Sequence, residues 1–277
     1  MGGNSLPFLY LRSNLFIERF SFMENTFIYE DERIDEVNEQ IKLIQKKDGL
    51  TFGTDAFLLA SYIKPQRNCV AAELGCGTGI ISLLLSARNK FSYIHAFEIQ
   101  EDFCSVTQRN ISLNSLDKKM ICKCTDVRDI ASKDTDGEVD AVFSNPPYML
   151  TDSGKRNASD AKYIARHEVC GSINDFCAAA YRLLKHGGKF YCVWRPDRMS
   201  ALFSALTQNR LEPKVMTFVH ADTNSEPSMV LISATKGGAP SMRVTAPLIL
   251  HEVSSSKGSR LLTPKAQKIY DTMSFED

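Results

Sequence analysis

The 277-residue chain contains no apolar run of about 18 residues, the length a helix needs to span a bilayer. Its opening also lacks the ordered positive, apolar and small-residue succession of a secretory leader. Neither a membrane span nor secretion is expected, and the cytoplasm is the expected compartment. Net charge is absent too, since 33 Lys and Arg balance 33 Asp and Glu. The total therefore argues neither for nor against a nucleic-acid partner, and local charge must carry that question. No Cys-x-x-Cys pair occurs among the eight cysteines, which stand mostly within apolar segments. Buried free thiols are expected, with no disulfide framework and no metal site. The chain shows no internal repeat and no zinc finger. What it does hold, 43% hydrophobic and 24% charged residues, is enough to bury a full core. Residues 23–277 are expected to form a single domain, and 1–22, which precede a more ordinary protein start at Met23, a peripheral extension.

One stretch organises the rest: Ala71-Ala72-Glu73-Leu74-Gly75-Cys76-Gly77-Thr78-Gly79-Ile80. The apolar run from Cys69 to Leu74 supplies a buried strand, and the glycines let the backbone turn tightly before a helix begins near Thr78. Such a turn leaves little side-chain bulk over the strand end. Its amides and the helix N-terminus suit a ligand carboxylate or phosphate. Glycine spacing alone does not select the ligand, because nicotinamide and flavin domains use similar turns.

Upstream, Glu24 to Gln40 carries seven acidic residues against Arg33, a face that avoids phosphate. Thr51 to Asp55 leads into an apolar helix through about Ile63, with Thr54 as its cap. Asp55 either caps the same helix or faces a ligand, and capping is the favoured reading. Downstream, Tyr93 to Ile99 reads as a second strand, and Glu98 lies 19 positions beyond Gly79, where a carboxylate can accept from both hydroxyls of a ribose. A helix from Glu101 to Asn114 and a short strand from Met120 to Cys124 follow. Asp126 is then placed to accept from an adenine amine while Val127 flanks the ring.

Val139 to Ser144 forms the next apolar strand, and the composition changes abruptly to Asn145-Pro146-Pro147-Tyr148. Two prolines stop the strand and stiffen the loop that holds an amide and a phenol. A planar base can stack on Tyr148 while its amine donates to the Asn145 side-chain carbonyl and the Pro146 backbone carbonyl. Beyond it, a long mixed-charge loop to Ser172 makes a wall for a substrate pocket. The segment Ser172 to Lys185 reads as a helix ended by Gly187-Gly188, before a strand from Phe190 to Val193. Lys214 to Val219 and Met229 to Ala234 read as an antiparallel pair that completes the sheet.

Glu73 to Gly79 resembles the first S-adenosylmethionine-binding motif of class I methyltransferases. Asn145 to Tyr148 resembles the catalytic tetrapeptide of those that methylate amino or amide nitrogen. The resemblance covers roughly residues 35 to 270 and implies an α/β fold with a doubly wound, mostly parallel seven-stranded sheet carrying an antiparallel strand. S-adenosyl-L-methionine is the implied cofactor, held by Gln45, Thr54, Asp55, Glu73, Gly75, Cys76, Gly77, Gly79, Glu98, Ile99, Asp126, Val127 and Asn145. Asn145, Pro146, Pro147 and Tyr148 are the implied catalytic residues. Within the class, Gln45, Gly49 to Leu59, Arg166-His167-Glu168, Arg195-Pro196, Pro247 to Ile249 and Thr263-Pro264 resemble bacterial tRNA adenine-N6 methyltransferases acting on adenosine 37 of a valine tRNA.

That narrower resemblance implies a tRNA partner; methyl transfer to an amine calls for no metal, and a monomer is the expected state. Tyr148, Lys155, Arg156, Arg166, His167 and Arg195 are the expected substrate contacts. Two basic stretches fit such a partner. From Lys185 through Lys214 six basic residues face two acidic ones, and from Lys236 through Lys268 six face only Glu252. Both can position a phosphate backbone. Methylation of a protein glutamine uses the same loop and remains the alternative, although no separate helical amino-terminal domain is visible. A noncatalytic RNA-binding protein would not require the Asn145 loop.

Overall fold

The computed structural model describes residues 28–47, 53–147, 171–253 and 261–276. Its centre is a run of parallel strands, the inner ones largely apolar and buried on both faces, as parallel sheets require. β1 (Glu32–Glu36) and β2 (Lys42–Lys46) precede the sheet, followed by α1 (Thr54–Tyr62), β3 (Val70–Leu74), α2 (Ile80–Ala87), β4 (Tyr93–Glu98), α3 (Glu101–Leu113), β5 (Met120–Cys124) and β6 (Val139–Ser144). From residue 171 onward come α4 (Ile173–Leu183), β7 (Leu184–Trp194), α5 (Met199–Gln208), β8 (Leu211–His220), β9 (Pro227–Lys236), two short strands β10 (Arg243–Val244) and β11 (Leu248–Ile249), and α6 (Pro264–Thr272).

The strand order is β10-β8-β9-β7-β6-β3-β4-β5, with β11 also on β8. The seven long strands are parallel except β9, which is antiparallel to both β7 and β8. This is the expected seven-stranded arrangement. β10 and β11, two residues each, pair with β8 in parallel and raise the described total to nine strands. Residues of α1, α2 and α6 share one apolar cluster on one face, while α4 and α5 fill a second cluster with Phe97, Phe190 and Trp194. Helices on both faces make the sheet doubly wound.

Three local readings are corrected. The cap of α1 is Gly53, with no side-chain bond, and Thr54 is the first helical residue. The Asp55 carboxylate lies over Gly53, 2.5 Å from where a Cβ would stand, so a larger residue there would collide with it. The helix after the glycine turn starts at Ile80 and not near Thr78. Gly187-Gly188 does not end α4, which stops at Leu183; the pair lies within β7, where the register against β6 shifts. Ser172 and Asp175 instead supply a reciprocal capping box at the start of α4.

β1 and β2 form a separate hairpin docked on α3. Arg109 donates two 2.6 Å bonds to Glu32, Asn110 exchanges bonds with the backbone of Ile44, and Asn114 does the same with Lys42. Acidic β1 is thus neutralised from within the protein. Lys90 is buried, and its Nζ lies within hydrogen-bond distance of the carbonyls of Ala60, Ser61, Ile63 and Met273. One ammonium therefore joins the C-terminal ends of α1 and α6, where unpaired carbonyls favour a cation. Burial pushes its pKa down to about 8. Lys90→Met is expected to leave these carbonyls without their donor and to lower unfolding free energy by about 3 kcal/mol. Urea denaturation checks this, and an unchanged midpoint would remove Lys90 from the account of stability.

Candidate active site

The carboxyl ends of β3, β4 and β6 meet at one edge, as the Gly-rich turn reading requires. Gly75 and Cys76 donate their amides to the Phe97 carbonyl at 2.8 and 3.0 Å, folding the turn across β4. The Gly77 amide then donates to Glu98 Oε2 at 2.8 Å, and the Gln100 amide to Oε1 at 3.0 Å. Glu98 thus ties the turn to the start of α3. A Cβ at Gly77 would meet nothing within 4 Å, so this side of the turn admits a ligand close to the backbone. Gly79 differs in its surroundings: its φ of +79° is left-handed, as that of Gly77 is at +55°, but a Cβ there would lie 2.7 Å from the Thr107 methyl, so only glycine fits.

Thr107 and Asn110, one turn apart on α3, brace the other side of the loop. Thr107 Oγ1 donates to the Gly77 carbonyl at 2.6 Å, and Asn110 Nδ2 to the Thr78 carbonyl at 3.0 Å. Neither was singled out from sequence. The available signal was polar residues at an i, i+3 spacing on a helix face that had to point inward.

Glu73 sits in the motif but not at the ligand surface. Its buried carboxyl accepts from the amide and the hydroxyl of Ser82, so it bolts α2 to the end of β3. Burial, opposed by those two bonds, raises its pKa to about 8. Cys76 is buried against Cys122, 3.7 Å between sulfurs, which leaves its backbone as the part that faces the turn.

On the neighbouring strand, Ser144 Oγ donates to the Leu74 carbonyl at 2.7 Å, locking the end of β6 to the glycine turn. Asn145 follows, half-buried, and its Nδ2 donates to Asp55 Oδ2 at 2.8 Å. A carboxylate only accepts, so the amide nitrogen must face Asp55 and Oδ1 is turned to the opposite side. Asp55 therefore does not cap α1. It sets the orientation of the Asn145 amide from 90 residues away. Pro146 is buried and Pro147 half-buried behind it.

Other expected site residues are placed as follows. Gln45 is buried in the hairpin and its amide donates to Asp35 at 2.6 Å, next to Ile44, which Asn110 links to the turn. Ile99 directly follows Glu98, and its carbonyl faces the Cys124 thiol. Asp126 lies just beyond β5, but Arg128 engages both its oxygens and holds its carboxyl below the usual range. The Val127 side chain is in the core under α4, which leaves its backbone for any ring contact. Arg195 stands at the end of β7, the strand beside β6, and pairs with Asp197 at 2.9 Å. Trp194 is core, with its indole nitrogen donating to the Arg198 carbonyl. Tyr148, Lys155, Arg156, Arg166 and His167 lie outside the described residues.

The glycine turn and Asn145 thus lie at neighbouring strand ends, with Glu98 buried behind the turn, and the open backbone at Gly77 fits a nucleoside cofactor. The comparisons agree. The family described as the methyltransferase small domain matches residues 46–210. A tRNA1(Val) (adenine(37)-N6)-methyltransferase of Phocaeicola vulgatus is 28% identical over 197 residues, 70% of this chain and 81% of that protein. One from Parabacteroides distasonis is 28% identical over 212 residues, 75% of this chain and 87% of that protein. Among solved structures, a protein of Agrobacterium tumefaciens described as a predicted O-methyltransferase superposes with a TM-score of 0.63 at 23% identity, covering 80% of this chain and 97% of that one. A methyltransferase from Pyrococcus furiosus gives 0.53 at 17% identity, covering 73% and 92%. The two superpositions speak to the fold, and the matched 46–210 segment, which carries both the glycine turn and the Asn145 loop, speaks to descent. By that match the chain belongs to the methyltransferase small domain family and is a class I S-adenosylmethionine-dependent methyltransferase.

Proposed function

We propose that this enzyme methylates the exocyclic N6 amine of an adenine in tRNA, with adenosine 37 of a valine tRNA as the target. The observation that carries the chemistry is the Asp55–Asn145 bond beside the glycine turn. Bound S-adenosylmethionine supplies an electrophilic methyl group. Asn145 Oδ1, turned away from Asp55, accepts one hydrogen of the amine, and the Pro146 carbonyl is the second acceptor. Together they aim the nitrogen lone pair at the methyl carbon, and they stabilise the positive charge that grows on nitrogen. The Asp55 carboxylate strengthens this by polarising the amide from behind. Glu98 and the glycine turn hold the nucleoside end of the cofactor. No side-chain base is needed, since the amine acidifies as it is methylated.

The tRNA assignment rests on the similarity to the curated relatives and on the two basic stretches. An adenine in an anticodon loop also leaves its stack more readily than one in a helix. We place the reaction in the cytoplasm, with the monomer as the working unit. The test is transfer of labelled methyl to unmodified total tRNA from cells lacking this protein, followed by nucleoside analysis and mapping. N6-methyladenosine at position 37 of a valine tRNA is expected. Label in protein glutamine alone would overturn the RNA assignment.

A further inference from the structure

Away from these strand ends, the sheet carries a cavity of about 430 Å³, between β7, β8, β9, the C-terminal end of α1 and residues 274–276. It lies at the opposite end of α1 from Asp55, about 10 Å along that helix. Its volume is in the range of small-molecule sites. Five cations line it, Lys64, Lys189, Lys214, Arg243 and Lys265, against a single carboxylate, Glu276. That carboxylate is already taken by Lys64 at 3.1 Å. Lys189 donates to Thr235 Oγ1 at 2.9 Å and Lys214 to the Ala239 carbonyl, so both are held by neutral acceptors. Among the described residues, neither these two nor Arg243 and Lys265 has an acidic partner within ion-pair distance.

Four cations from four different elements thus line one cavity, and an anion bound there would offset their mutual repulsion. The convergence is also not local in sequence. Lys189 and Lys214 belong to the first basic stretch, and Arg243 and Lys265 to the second, so the fold brings the two stretches to one place. The inner wall is aromatic. Tyr62 meets Tyr191 edge-on at 6.4 Å and Phe275 edge-on at 5.3 Å. The Thr217 and Thr245 hydroxyls, 2.8 Å apart, bond to each other, and Thr245 Oγ1 donates on to the Ala246 carbonyl, so their protons are already used. Phosphate oxygens match the cations, and a base or sugar matches the rings.

We infer that this cavity binds one nucleoside phosphate, either a nucleotide of the RNA substrate or a free nucleotide. The RNA source rests on the tRNA reading above, whereas the free nucleotide does not. Arg243 and Lys265 are exposed, so removing them should spare the fold.

The test compares the full-length enzyme with an Arg243→Ala/Lys265→Ala variant and with a charge-conserving Arg243→Lys/Lys265→Arg variant. Binding of total tRNA is measured from about 50 to 200 mM salt, and binding of adenosine monophosphate is set against adenosine. S-adenosylmethionine affinity serves as the check on folding. If the source is RNA, the alanine variant binds tRNA at least about tenfold more weakly, the slope of log affinity against log salt falls by about two, and the charge-conserving variant recovers both. If the source is a free nucleotide, the wild type binds adenosine monophosphate saturably and adenosine poorly, and the alanine variant loses the difference. Unchanged tRNA affinity and slope together with no saturable nucleotide binding would overturn the inference. These are binding readouts, so a failure of the methylation target, seen as absence of label in tRNA, remains distinguishable from a failure of this site.

Discussion

Replacing Asn145 by alanine is expected to lower methyl transfer at least about 100-fold while S-adenosylmethionine binds within a few-fold of the wild type. The alanine removes the acceptor that aims the amine. Glu98 and the glycine turn, the proposed holders of the nucleoside, are braced by Phe97, Gln100 and Thr107. Single-turnover rates and equilibrium cofactor binding are the measurements. Asp55→Asn gives a second reading of the same geometry: an amide in place of the carboxylate no longer forces the Asn145 nitrogen toward it. About a tenfold loss in rate is expected, again with cofactor affinity retained. If Asn145→Ala stays folded yet loses cofactor and activity together, the selective role in substrate alignment is wrong.

The second large effect lies behind the turn. Glu73 has a folded pKa of about 8 against an ordinary 4.5, because burial disfavours its charge. Between those values the unfolded chain releases this proton and the folded chain keeps it. The Glu73 contribution to stability is therefore complete below about pH 4.5 and is lost progressively as pH rises toward 8. Glu73→Gln keeps an acceptor for the Ser82 amide and hydroxyl but has no proton to lose. The variant should gain on the wild type by up to about 1.4 kcal/mol per pH unit across that window. The difference between the two proteins is the quantity to follow. His95, whose buried imidazole titrates below its ordinary value, affects both equally, and Lys90 titrates at the upper edge. Parallel stability profiles from pH 5 to 8 would show that Glu73 is ionised in the folded protein.

The carboxyl is in this state because of where the motif puts it. In a strand buried on both faces, the residue before Leu74 has no route to water, and the serine two residues into α2 is the polar group within reach. Read along the chain, Glu73 looks like a ligand contact. In three dimensions it fastens the helix whose N-terminus the ligand would approach.

What the sequence determined by itself was the run of buried strands and the two loops that end them. Val70–Leu74, Tyr93–Glu98 and Val139–Ser144 are short apolar runs closed by glycines, an acidic residue or prolines, and such breaks are written locally in the residues. The antiparallel end of the sheet was legible for the same reason, as two apolar runs joined by a turn-rich segment. Tertiary structure decided everything that depends on distant partners. The five residues Glu-Arg-Ile-Asp-Glu have poor strand propensity, yet they form β1 because they pair with β2 and Arg109 of α3 takes Glu32. Asp55 has every local feature of a helix cap, but Gly53 takes that position and the carboxylate goes to Asn145, 90 residues on. Lys189 and Lys214 of one basic stretch and Arg243 and Lys265 of the other, far apart in sequence, line one cavity. Periodicity and chain breaks are carried by neighbours in sequence; hydrogen-bond partners, burial and the meeting of charges are set only when the strands have been brought side by side.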